Sequence, residues 1–104
     1  MTYPEKLQDP RWQKFRLECL ESANWRCEHC GSQKGFLHVH HMFYAKGREP
    51  WAYPPGTTVV LCQICHDEWH ANEYQMKVAM ARALRLVSGR RLASVVEIIL
   101  REVE

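Results

Sequence analysis

The sequence predicts an α+β domain in which a two-stranded antiparallel hairpin is flanked by helices and stapled by metal. Three observations carry this expectation. Two short strand-prone segments, 36–41 and 57–61, are separated by a loop rich in glycine and proline. A Cys-x-x-Cys turn precedes the first segment, and a second one follows the other segment directly. Helical periodicity occupies the chain on both sides of this centre.

The elements follow in order. Asp9-Pro10 reads as a helix start, a capping carboxylate followed by a proline suited to the first turn. Trp12, Phe15, Cys19 and Leu20 recur at helical spacing, so a helix is expected over about 10–23. Cys27-Glu28-His29-Cys30-Gly31 is a compact turn, and Phe36-Leu37-His38-Val39-His40-His41 a strand. Gly47, Pro50, Pro54, Pro55 and Gly56 punctuate a loop over 42–57. The β-branched run Thr57-Thr58-Val59-Val60-Leu61 is the second strand and leads into Cys62-Gln63-Ile64-Cys65. A long helix is expected over about 66–87, stopping near Ser88-Gly89, and a final one over 91–103. The long helix carries an apolar stripe of Trp69, Met76, Met80, Ala83 and Val87; the last carries Leu92, Val95, Val96, Ile99 and Val103. Such stripes read first as core and second as the surface of a homodimer formed through the C-terminal helices.

With 104 residues the chain is expected to form one domain, 1–104. A core of that size is modest and gains from a metal staple. Hydrophobic content of 46% and charged content of 25% are ordinary for a globular protein. No apolar run approaches the ~20 residues needed to span a bilayer. Met1-Thr2-Tyr3-Pro4-Glu5-Lys6 lacks the apolar stretch of a signal peptide, which predicts a cytoplasmic protein. A net charge of +2 permits nucleic-acid binding without arguing for it. Five cysteines and six histidines in so short a chain point to metal before disulfides.

Cys27-x-x-Cys30 and Cys62-x-x-Cys65 are two chelating turns. A two-residue gap lets both sulfurs face one point, so the pair of turns supplies a closed tetrahedral thiolate site suited to structural zinc. Four thiolates leave no position open for substrate, and their softness disfavours magnesium and calcium. Redox-active dithiols and a four-sulfur iron site are the alternatives; the paired turns of equal spacing favour zinc. Cys19, on the apolar face of the first helix, reads as a buried core thiol.

His40 and His41 end the first strand and point to opposite faces, so one can bind metal while the other addresses a substrate from another direction. His66 and His70 stand at i, i+4 on the long helix and share one of its faces. A zinc that ties the start of this helix to the turn before the first strand lets both histidine pairs converge. His38 shares the strand face of His40 and reads as a bystander. Lys46 and Arg48, in the loop after the double histidine, are the candidate DNA contacts, with Trp51 and Tyr53 adding aromatic surface there.

Together Cys27-x2-Cys30, Leu37-His38-Val39-His40-His41 and Val60-Leu61-Cys62-x2-Cys65-His66-x3-His70 resemble the HNH endonuclease family, over about residues 25 to 72. The resemblance implies the ββα-metal fold of that family and a metal-dependent DNA endonuclease, nicking or cutting both strands to leave 5′-phosphate and 3′-hydroxyl ends. It implies that His40 is a metal ligand and His41 the general base, with His66 and His70 as ligands from the helix. Histidine ligation favours manganese over magnesium for this second metal, with nickel or cobalt also suited. The family carries an asparagine in its second strand, where this chain has Thr57 or Thr58. A threonine hydroxyl can orient the base through one hydrogen bond but lacks the reach and second donor of an amide, so Thr57 takes the catalytic-site position with weaker activity expected. A zinc-knuckle DNA-binding module with a weakened nuclease site is the alternative.

Overall fold

The computed structural model describes residues 1–94 and 97. The element order is α1 (Tyr3–Lys6), α2 (Pro10–Ser22), β1 (Leu37–His41), β2 (Thr58–Cys62) and α3 (Gln63–Leu84). The chain divides into two compact units, Met1–Trp69 and His70–Glu104.

In the first unit, α1 is a single turn that was not among the expected elements. Its signal is nonetheless explicit: Thr2 and Glu5 form a reciprocal capping box around Pro4. Helix α2 starts as expected, with the Asp9 carboxylate accepting from Arg11 N–H at 2.8 Å and Pro10 in the first turn. It ends without a glycine. Asn24 and Trp25 take left-handed φ angles of 55° and 57°, and their N–H groups reach the carbonyls of Glu21 at 3.0 Å and Leu20 at 2.9 Å. That pattern satisfies carbonyls the helix would otherwise leave unpaired.

Strands β1 and β2 pair antiparallel in the register Leu37↔Cys62, Val39↔Val60 and His41↔Thr58. The second Cys-x-x-Cys turn is not a separate connection. Cys62 closes β2, and Gln63, Ile64 and Cys65 already belong to the first turn of α3. The long helix therefore begins three residues before the expected position 66 and ends at Leu84, where hydrogen bonds from Leu86 to Ala83 and Val87 to Leu84 tighten the chain into a turn.

The core is small and sulfur-rich. Leu20 from α2, Leu37 from β1, and Val60 and Leu61 from β2 pack with the buried Cys27 and Cys62. Burying each large aliphatic side chain is worth roughly 1.5–3 kcal/mol, too little in so short a list to hold a domain without further cross-linking. The metal-capable cysteines are thus part of the core.

The second unit begins within α3 and continues into a helical segment at 89–94. Ser88 starts that segment, its hydroxyl accepting from Arg91 N–H at 3.2 Å and its carbonyl from Leu92 N–H at 2.8 Å. None of the described residues of this unit is buried, and Met80, Leu84, Leu86 and Leu92 are exposed. Of the stripe expected on the final helix, Val95, Val96, Ile99 and Val103 lie outside the described residues. Among the described residues, no helix is long and apolar enough to cross a membrane.

Candidate metal centres

The thiols of Cys27, Cys30, Cys62 and Cys65 come together with every sulfur within 4.8 Å of the others. Local backbone geometry explains how. Gly31, at φ +79°, lets the first turn close, with Gly31 N–H donating to Cys27 C=O at 2.9 Å and Cys27 N–H to Ser32 C=O at 2.9 Å. Cys30 N–H then points at Cys27 Sγ, 3.5 Å away. Glu28 fastens the turn to the free edge of β2: its N–H donates to Val60 C=O at 2.8 Å, and its carboxylate accepts from Val60 N–H at 2.6 Å. The turn thereby covers a strand edge that would otherwise be open.

The electrostatics suit a cation. Burial pushes the Cys27 thiol up, but the N–H groups of Cys30, Cys62 and His29 and the Cys30 side chain outweigh it and bring it down to about 6. At Cys65 the Cys62 side chain first, then burial and the Cys27 and Cys30 side chains, push the thiol up. At Cys30 a backbone hydrogen bond from Ser32 lowers the thiol, but the Cys62 and Cys27 side chains and burial raise it further. The Cys27 thiolate is favoured while the Cys30 and Cys65 thiols are pushed up, as expected when neighbouring anions would share one corner. A soft divalent ion removes that conflict, so the cluster can hold a structural metal such as zinc.

The histidines divide by strand parity. His38 and His40 project from one face of β1 toward the start of α3. His40 is buried, with its ring centroid 5.3 Å from His66 and 5.5 Å from Trp69. Both His40 and His66 belong to a metal-capable group whose ligand nitrogens lie within 4.8 Å. His38 is more than a neighbour. Its ring stacks on His66 at 4.3 Å with only 5° between planes, and its Nε2 meets Gln63 Oε1 at 2.8 Å. Gln63 in turn donates to Asp67 Oδ1 at 2.8 Å, and Phe36 packs edge-on against His38 under the Arg16 guanidinium. His38, expected as a bystander, thus holds the ring of His66. His70, one helical turn beyond His66, opens the second unit, where its Nδ1 is 3.4 Å from Glu73 Oε2. Lys77 first and His70 second hold the Glu73 carboxyl below its ordinary value.

His41 occupies the opposite face and is 3% exposed. Trp12 and Phe15 of α2 stack beside it at 5.6 and 6.3 Å, and Tyr53 and Tyr44 lie at 4.5 and 5.5 Å. Its Nε2 is 2.9 Å from the Pro50 carbonyl. His41 also borders a cavity of about 170 Å³ that Arg48 shares, while Lys46 is exposed in the same loop. Nothing in the sequence announced Pro50 or Tyr53 as its partners, because loop residues reach it only through tertiary folding. The Thr57 hydroxyl donates to Pro54 C=O at 2.7 Å, and its carbonyl accepts from Met42 N–H at 2.9 Å. Thr58 pairs with His41 across the hairpin and places its hydroxyl 3.6 Å from Cys19 Sγ. A larger cavity, about 300 Å³, lies between α2 and β2 beside Cys19 and Glu28, but no histidine lines it, so cavity size does not mark the chemistry.

Compared with protein-family models, curated proteins and solved structures, the chain matches none of them. The resemblance drawn from its motifs therefore rests on the residues themselves. The chain is a small α+β fold with a two-stranded antiparallel hairpin and a four-cysteine cluster able to bind metal.

Proposed function

We propose that this chain is a metal-dependent DNA endonuclease of HNH type, its cysteines holding zinc and its histidines a second divalent ion. The observation that carries the reading is the meeting of His40 from β1 with His66 from α3, beside the cysteine cluster that fixes where α3 starts. His40 and His66 are the first two ligands, and the resemblance adds His70 from the same helix as the third. Three imidazoles suit manganese, nickel or cobalt better than magnesium. Bound there, the ion supplies Lewis-acid stabilisation of the phosphate and of the departing 3′ oxygen.

The remaining roles fall to the chain's own groups. A carbonyl only accepts, so Nε2 of neutral His41 carries the proton shared with Pro50 and Nδ1 is the acceptor. As general base, His41 takes a proton from the attacking water at Nδ1. Arg48 and Lys46 hold the phosphate backbone. Thr57 acts as a positioning residue through its carbonyl, which fixes Met42 directly after the base. The exposed apolar side chains of the second unit are the surface for a homodimer through the C-terminal helices, which light scattering reads directly.

Supercoiled plasmid with manganese is the test. The zinc-loaded protein should nick or linearise it, with less activity in magnesium, and His41→Ala should leave it intact. A plasmid untouched by the wild-type chain overturns the reading. A second reading has an observation of its own: His41 is nearly inaccessible within its aromatic surround, and a hydroxyl stands where the family has an amide. In that case the chain is a zinc-dependent DNA-binding module, and it shifts DNA in a gel while leaving manganese-treated plasmid whole.

A further inference from the structure

The segment that follows β1 carries more aromatic surface than its packing consumes. Tyr53 is buried and accepts from Ala45 N–H at 3.1 Å, so it props the loop. Tyr44 lies against His41 and Tyr53, with ring centroids at 5.5 and 6.5 Å, yet remains 66% exposed. Tyr3, from the short α1 turn, is 49% exposed. These rings, with His41, Arg48 and Pro50, line one cavity of about 170 Å³. Arg48 is steadied there by a bond from its guanidinium to Ala52 C=O at 2.6 Å and by the Tyr53 ring, 5.8 Å away.

Such a recess offers flat ring faces together with a fixed cation. An intact duplex cannot use it, because stacking covers the faces of its bases and the grooves present only their edges. An unpaired nucleotide can. Its base finds a ring to stack on, and its phosphate finds Arg48 in the cavity lining. We infer that the Tyr3–Tyr44–Arg48 cavity beside His41 receives one unpaired nucleobase, so that the DNA taken is single-stranded rather than intact duplex. This rests on the nuclease reading for the identity of the partner as DNA. It adds that the chain selects the strand whose base can enter, and that stacking places that base next to the general base.

The zinc-loaded full chain with no second metal added is titrated into a labelled oligothymidylate and, separately, into a duplex of equal length, with anisotropy as the readout. The expected result is single-strand affinity at least about ten-fold above duplex affinity. Tyr44→Ala should remove the preference without altering the salt slope, because stacking displaces no counterions. Tyr44→Phe keeps the ring and should keep the preference. Because Tyr44 is exposed, the alanine variant should retain the wild-type melt, and Tyr3→Ala provides an independent second variant. Equal affinity for the two substrates, or a Tyr44→Ala protein indistinguishable from wild type, overturns the inference. The nuclease reading fails separately: a single-strand preference without manganese-dependent cleavage supports the cavity and removes the enzyme, and cleavage without strand preference does the reverse.

Discussion

The cysteine corner and the histidine strand end use the same two strands and the same helix start, yet they are built to different specifications. Two of the four cysteines are buried within the cluster formed by Leu20, Leu37, Val60 and Leu61, so the sulfur site and the hydrophobic core are one object. The histidines border that core without composing it: His40 leans on Trp69, and His66 is sandwiched against His38 at the edge. A site whose ligands are the core is a structural site; a site whose ligands stand at its margin can change without loss of the fold. The contrast teaches that the cysteine cluster and the proposed histidine site should be separable by stability.

The largest effect expected is therefore zinc removal. Structural zinc contributes on the order of 10 kcal/mol or more in apparent binding, comparable with the whole stability of a small domain. Chelation, or Cys62→Ser, should abolish the cooperative thermal transition followed by far-UV circular dichroism. A chelated protein that still melts sharply near the zinc-loaded Tm breaks the comparison at its root. The same corner sets a pH signature. A thiol brought down to about 6 from an ordinary 9.0 favours the folded apo-protein above 9.0, and loses that contribution as pH falls through about 6. Zinc binds thiolates, and the Cys30 and Cys65 thiols are pushed up, so zinc uptake near pH 7 should release protons. Calorimetry in buffers of different ionisation enthalpy counts them.

Next in size is the loss of the proposed second ion. His66→Ala should cut manganese binding and plasmid cleavage by at least about 100-fold while shifting Tm by only a few degrees. Manganese titration followed by electron paramagnetic resonance, beside a melt, separates the two readouts. A variant that binds manganese normally, or that fails to fold, denies that the histidine pair is the marginal site described.

How much of this was legible beforehand follows the same division. The hairpin, α2 and both cysteine turns were readable because each depends on local chemistry: a cap at Asp9, β-branched residues before Cys62, a fixed two-residue gap. The start of α3 lies three residues before the expected 66 because a helix can supply the two-residue cysteine gap with its own first turn, which the spacing alone does not reveal. Turn α1 is too short for periodicity to show, and only the Thr2 and Glu5 capping box marks it. At the site, strand parity separated His40 from His41 correctly in principle, but the cage around His41 was invisible. Pro50, Tyr53, Trp12 and Phe15 approach it from distant parts of the chain, and no spacing rule encodes that. The spacing of His38 from His40 marks a shared strand face but not the stacking on His66 that gives His38 a positioning role.

A smaller and sharper test concerns Glu28, the side chain that belongs to the cysteine turn but binds no metal in this scheme. Its carboxylate takes the Val60 N–H on the side of β2 that β1 does not use. Glu28→Ala leaves that donor without its partner and loosens the first turn from the strand, at a cost of about 1–3 kcal/mol. Because α3 starts from the far end of β2, the damage should fall on the sulfur site: zinc affinity measured against a chelator drops, while manganese binding per folded molecule stays at the wild-type level. Glu28→Gln keeps an acceptor oxygen and should recover most of the zinc affinity. If both ions weaken together in Glu28→Ala, the two sites share one rigid frame and the separation between core and margin does not hold.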